Sequence, residues 1–131
     1  MVKVTEQSKR ITILDEEGYW STQCAKELDQ AGLISVRQDP QEEFLEAKAV
    51  RGNLFVIRVP YFESDRFDLA RRVGELGGMS LILAASEVAD VAMKCMTLGR
   101  TACVGKTNDF PRLIEVVKAI LSPGFKDQNP T

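Results

Sequence analysis

The chain contains no histidine, so no imidazole can act as a general base, and zinc-type sites lose their commonest donor. Cysteine is scarce too. Three occur in 131 residues, an odd number without C-x-x-C spacing, which fits reduced thiols better than a disulfide framework; Cys24, Cys95 and Cys103 are read as small buried hydrophobes. Neither sign of charge dominates: the formal net charge is −2 and the sequence pI is near 5.2. No Lys/Arg cluster alternates with aromatics, so no direct nucleic-acid partner is expected. Long apolar runs are missing as well. Nothing approaches the length that spans a bilayer, and "MVKVTEQSKR" lacks the apolar segment of a signal peptide, so a cytoplasmic location without membrane contact is expected.

What is present is enough for one core. With 44% apolar and 27% charged residues, the chain fits a single globular domain that needs neither disulfides nor metals. The expected division is an N-terminal extension over 1–9, a domain over 10–122, and a flexible tail or linker start over 123–131.

One stretch invites a nucleotide-binding reading. "GRTACVGKT" ends in Gly-Lys-Thr, but a phosphate-binding P-loop needs a glycine five positions before Gly105, where Arg100 stands. Gly99 is one residue too early. The β-branched, apolar "TACV" between them predicts a strand.

From Arg10 onward, short β-rich runs alternate with helical ones. "RITIL" predicts a strand, followed by a helix carrying Trp20, Cys24 and Leu28 and stopped at Gly32. "LISVR" is the second strand, and Asp39-Pro40 with Glu42 opens a helix that closes at Arg51-Gly52. "NLFVIRV" is the third strand. Ser64 caps a helix with Phe67, Leu69, Val73 and Leu76, ended by Gly77-Gly78. "SLILAA" follows as a strand buried on both faces. Ser86 opens the fourth helix, "TACV" is the fifth strand, and Asp109 caps a last helix whose Leu113, Val116, Val117, Ile120 and Leu121 form one stripe. Five strands alternating with five helices predict a flavodoxin-like (βα)5 three-layer sandwich, a five-stranded parallel sheet in the order 2-1-3-4-5. Its functional crevice is expected at the carboxyl ends of the strands, beside the switch point.

At those ends stand "DEE" (Asp15, Glu16, Glu17) after the first strand, Arg58 in the third, Ala84 and Ala85 closing the fourth, and Lys106 after the fifth. With "ILDEEG", "CMTLG", the strand-final Lys106 and the terminal amphipathic helix, the span from Arg10 to Leu121 resembles the CheY-like receiver domain of two-component response regulators. The resemblance implies that two acids after the first strand hold Mg²⁺, an aspartate ending the third takes a phosphoryl group, a Thr or Ser ending the fourth hydrogen-bonds it, and a lysine after the fifth pairs with it. Asp15, Glu16 and Lys106 match. Arg58 stands in place of the phosphoacceptor, Ala84 in place of the hydroxyl, Cys103 at the aromatic switch position, and Thr107 in place of a proline.

Arginine has no nucleophilic oxygen and stays protonated, so Arg58 cannot accept a phosphoryl group. Two acids against Arg58 and Lys106 balance without a metal, and a guanidinium fork from Arg58 to Asp15 or Glu16 would fill the cation's place. No metal and no cofactor are expected. The sequence therefore predicts a phosphorylation-independent, non-enzymatic signalling module with a protein partner or a second copy of itself. Its interaction face is expected at Met93, Lys94, Thr97, Arg100, Glu115 and Lys118, the positions where the family's output face falls. Two alternatives stand beside it: a conventional receiver with a relocated phosphoacceptor, Asp65, and a ligand-binding flavodoxin-like domain. "DEEGYW" disfavours the second, because carboxylates repel a cofactor phosphate.

Overall fold

The computed structural model describes residues 7, 9–16, 18–40, 47–61 and 64–122. The elements run β1 (Ile11–Leu14), α1 (Tyr19–Gln30), β2 (Ser35–Gln38), α2 (Ala47–Val50), β3 (Leu54–Val59), α3 (Arg66–Glu75), β4 (Met79–Ala84), α4 (Val88–Cys95), β5 (Thr101–Lys106) and α5 (Phe110–Leu121). All strand pairs are parallel and the order is β2-β1-β3-β4-β5, the flavodoxin-like arrangement expected from the alternation of periods. Glu17, Glu42 and the tail over 123–131 lie outside the described residues, so the expected opening of the second helix is seen only in its last turn.

The side-chain period of two divides the sheet's burial into two cores. On one face Ile11, Ile13, Leu54, Val56, Leu81, Leu83 and Val104 pack against Cys24 and Leu28 of α1 and Phe110, Leu113, Val117 and Ile120 of α5. On the other, Leu14, Phe55, Ile57, Val59, Ile82 and Ala84 meet Val50, Phe67, Ala70, Val73, Val91, Cys95 and Leu98. β1 and the Leu81–Ala84 run of β4 are buried throughout, which is why their sequence shows no alternation.

Glycines end the helices as the sequence indicates. Gly32 (φ 81) and Gly77 (φ 90) are left-handed, and the amides that follow, Leu33 and Gly78, donate back to the carbonyls of Leu28 and Val73 at 2.9 Å. This is the six-to-one bond of a Schellman stop. Two expected helix starts shift by one residue. α3 is entered through Asp65, although the Ser64 hydroxyl still accepts from the Arg66 amide at 3.1 Å. α4 is entered through Glu87, which is left-handed at φ 52, rather than through Ser86. Asp109 does cap α5, its Oδ1 accepting from the Arg112 amide at 3.3 Å. β5 extends two residues beyond "TACV". A bulge at Val104 pairs Cys103 with Ile82 but Gly105 with Leu83, and so carries the strand on to Lys106.

Candidate functional site

The register of β1 on β3 builds the centre of the crevice. Leu14 lies opposite Ile57, so the next pair up the strands is Asp15 and Arg58. Leu14, Ile57 and Val59 point into the α2/α3/α4 core; alternation therefore sends Asp15 and Arg58 to the α1/α5 face. There the Arg58 Nη2 lies 3.7 Å from the Asp15 Oδ1, with 35% of the arginine side chain and 3% of the aspartate side chain exposed. That is an ion pair but not a hydrogen bond. Asp15 Oδ1 and Arg58 Nε are both buried without a hydrogen-bond partner. The paired fork expected from the sequence is not formed. The reason lies in the third neighbour, for the Arg58 guanidinium also sits over the Trp20 ring, 5.7 Å from its centroid, and is shared between an anion and a π face.

Trp20 holds this corner together. Its Nε1 donates to the Thr107 carbonyl at 2.7 Å, and its ring lies 6.2 Å from that of Phe110, tying the first turn of α1 to the β5–α5 connection. Below it, the buried Ser21 hydroxyl accepts from the Gly18 amide at 3.3 Å and donates to the Glu16 carbonyl at 3.2 Å, which fixes the turn that displays Asp15 and Glu16.

The charge set differs from the expected one. Glu16 is exposed and pairs with Arg66, the first residue of α3, at 3.8 Å. Arg37, near the end of β2, donates from Nη1 to the Asp15 carbonyl at 3.2 Å. Lys106 is exposed and, among the described residues, makes no ion pair with Asp15 or Glu16. The bulge explains its absence. In register with Ala84, which is fully buried in the α3/α4 core, Lys106 leaves the sheet on the face opposite Arg58. Arg37 and Arg66 carry a weak sequence signal, each being a cation at a carboxyl strand end or the helix start that follows one.

Burial pushes the Asp15 carboxyl above its ordinary range; the charges of Arg58 and Arg66 and the Glu16 amide oppose this, and the Glu16 charge adds to it. Burial disfavours the thiolates in the same way. Burial carries both Cys24 and Cys95 up to about 12, helped by the charge of Asp15 and by Cys103 respectively, and half-buried Cys103 is also raised by desolvation.

The residues do not fit the Mg²⁺ that a receiver would bind. A hard dication wants several anionic oxygens on one side. Here one of two acids is buried against a guanidinium and the other is paired to a second, and no group of three or more candidate ligands forms among the described residues.

On the expected interaction face, Met93, Thr97, Glu115 and Lys118 are exposed. Lys94 and Arg100 are half-buried instead, and Arg100 donates from Nε to the Gly78 carbonyl at 3.0 Å from a left-handed backbone at φ 56. Met96, three residues after Met93, is 84% exposed and was legible from helical spacing alone. Asp65, the alternative acceptor, is exposed at the start of α3. No helix among the described residues is long and apolar enough to cross a membrane.

No family model, curated protein or solved structure matches the chain.

Proposed function

We propose that this chain is a receiver-like signalling module that takes no phosphoryl group and acts by binding another protein, a signalling partner or a second copy of itself, in the cytoplasm and without enzymatic activity. The observation that carries this reading is the Arg58–Asp15 pair at 3.7 Å. At the position where a receiver presents its acceptor carboxylate, the chain presents a permanent cation, and that cation turns toward the acid that would otherwise help to hold Mg²⁺. Loss of the nucleophile removes the first step of phosphoryl transfer. Loss of the hydroxyl at Ala84, which is fully buried among apolar side chains, removes a ligand for its product.

The chain that remains has the fold, the crevice and the exposed Met93 and Met96 at α4 and its C-cap but no covalent chemistry, and contact with a protein is the function these features support. Incubation with acetyl phosphate and Mg²⁺, followed by intact-mass measurement, is expected to show no added phosphate. A gain of one phosphate that is lost on mild base treatment, as an acyl phosphate would be, refutes the reading.

A further inference from the structure

Two guanidinium groups at the crevice are only loosely engaged by protein acceptors. Arg58 and Arg66 are 35% and 15% exposed in their side chains, yet each makes only one ion pair, at 3.7 and 3.8 Å, and neither side chain donates a hydrogen bond among the described residues. A guanidinium carries five N–H donors in a rigid fork suited to the paired oxygens of a carboxylate. Buried polar groups are nearly always hydrogen-bonded, yet the Arg58 Nε is buried without a partner and the Arg66 side chain, 15% exposed, is held only by its 3.8 Å pair with Glu16; these donors mark a place prepared for acceptor oxygens. Arg37 adds a third positive charge that is spent on a neutral carbonyl.

Charge narrows the class of ligand. Among the described residues, Arg37, Arg58 and Arg66 against Asp15 and Glu16 leave at most one positive charge, which suits a single carboxylate better than a phosphate near −2. Shape narrows it further. Both tyrosines of the chain and its one tryptophan stand at this end, with Tyr19 86% and Tyr61 57% exposed. Solvent-facing Tyr at the same end of the sheet as the arginines is the composition of a protein contact surface rather than of a closed small-molecule pocket.

We infer that the crevice is itself a docking site, taking one carboxylate from an acidic side chain of a partner protein between Arg58 and Arg66, with Tyr19 and Tyr61 flanking it. The occupant's being a protein rests on the proposed function; the oxyanion preference rests on the arginines alone. Amide NMR and Trp20 emission, titrated with a blocked Gly-Glu-Gly-Glu-Gly peptide, its Gln counterpart and inorganic phosphate, test it. The Glu peptide is expected to shift the amides of Asp15, Arg58 and Arg66 and to bind at least tenfold more tightly than the Gln peptide. Arg66→Gln should weaken it at least tenfold. Arg58→Lys, which keeps the charge but loses the fork, should weaken it severalfold while preserving the rest of the spectrum, and Met93→Ala should not matter. Equal binding of Glu and Gln peptides, no binding to the millimolar range, or indifference to Arg66→Gln overturns the site, and preferential binding of phosphate overturns the carboxylate assignment. A chain that gains phosphate yet binds the Glu peptide refutes the proposed function and not the site; one that gains none and ignores the peptide refutes only the site.

Discussion

Removing the Arg58 guanidinium tests the centre of the crevice most directly. At 3.7 Å two unit charges attract by about 1 kcal/mol with water-like screening and about 4.5 kcal/mol at an effective dielectric of 20. Arg58 is a third exposed, so solvent screening pulls the value toward the lower end, and loss of the Trp20 contact adds roughly 0.5–1 kcal/mol. Arg58→Ala should therefore destabilise the fold by about 1–3 kcal/mol at neutral pH, read as a lower urea midpoint at unchanged slope. The cost has a ceiling, because a stranded Asp15 can take up a proton at about 1.4 kcal/mol per pH unit. The deficit should accordingly shrink as pH falls toward the raised pKa of Asp15. Arg58→Asp goes further by restoring three carboxylates to one end of the sheet. It should bind Mg²⁺ with a change in Trp20 emission that the wild type does not show. An Arg58→Ala variant as stable as the wild type, or one whose deficit ignores pH, would mean that Arg58 does not compensate Asp15.

Three further outcomes are expected. Because burial raises the folded-state pKa of Asp15 above its ordinary 3.8, the folded state holds the proton more tightly, and stability falls as pH rises from the ordinary value through the raised one; Asp15→Asn should remove that fall, so urea midpoints should move progressively in favour of the variant as pH rises through that window. A Cβ at Gly78 would come within 2.8 Å of Val50 Cγ1 and Val73 Cγ1 and 3.1 Å of the Phe55 ring, so Gly78→Ala should cost about 1–3 kcal/mol by overpacking, visible in thermal melts, and a neutral result would show that the α2–α3 junction yields. Lys106→Ala should change stability by less than about 0.5 kcal/mol and leave the Asp15 carboxyl titration, followed by carbon-13 NMR, where it was; a displaced titration would put Lys106 in the acid cluster after all.

The fold was legible because each local signal in the sequence has a single geometric consequence. The uninterrupted apolar run "SLILAA" requires a strand covered on both faces, and β4 is that strand. The glycines after Gln30 and Glu75 require left-handed stops, and Gly32 and Gly77 adopt them. Helix starts were less legible, since several adjacent small or acidic residues can each supply an acceptor. At α3, Ser64 makes the capping bond while Asp65 occupies the cap position. At α4, the left-handed Glu87 is a conformation that no propensity favours for a glutamate.

The site was legible only as far as strand ends identify neighbours. Asp15 and Arg58 follow paired residues of adjacent strands, so their meeting is written into the alternation of "RITILD" and "NLFVIR". Lys106 obeys the same rule up to Val104, and there one extra residue inverts the outcome: the bulge passes the strand on with its faces exchanged, and the lysine emerges beside Ala84 rather than beside the acids. A bulge depends on how β5 sits against β4, which "TACVGK" alone does not encode. The arginines that take the lysine's place come from elements whose carboxyl-end or helix-start positions only the assembled sheet brings together, Arg37 from edge strand β2 and Arg66 from the opening of α3. The sequence thus indicated that cations would meet the acid pair, while the fold decided which cations, and it chose forks in place of a point charge.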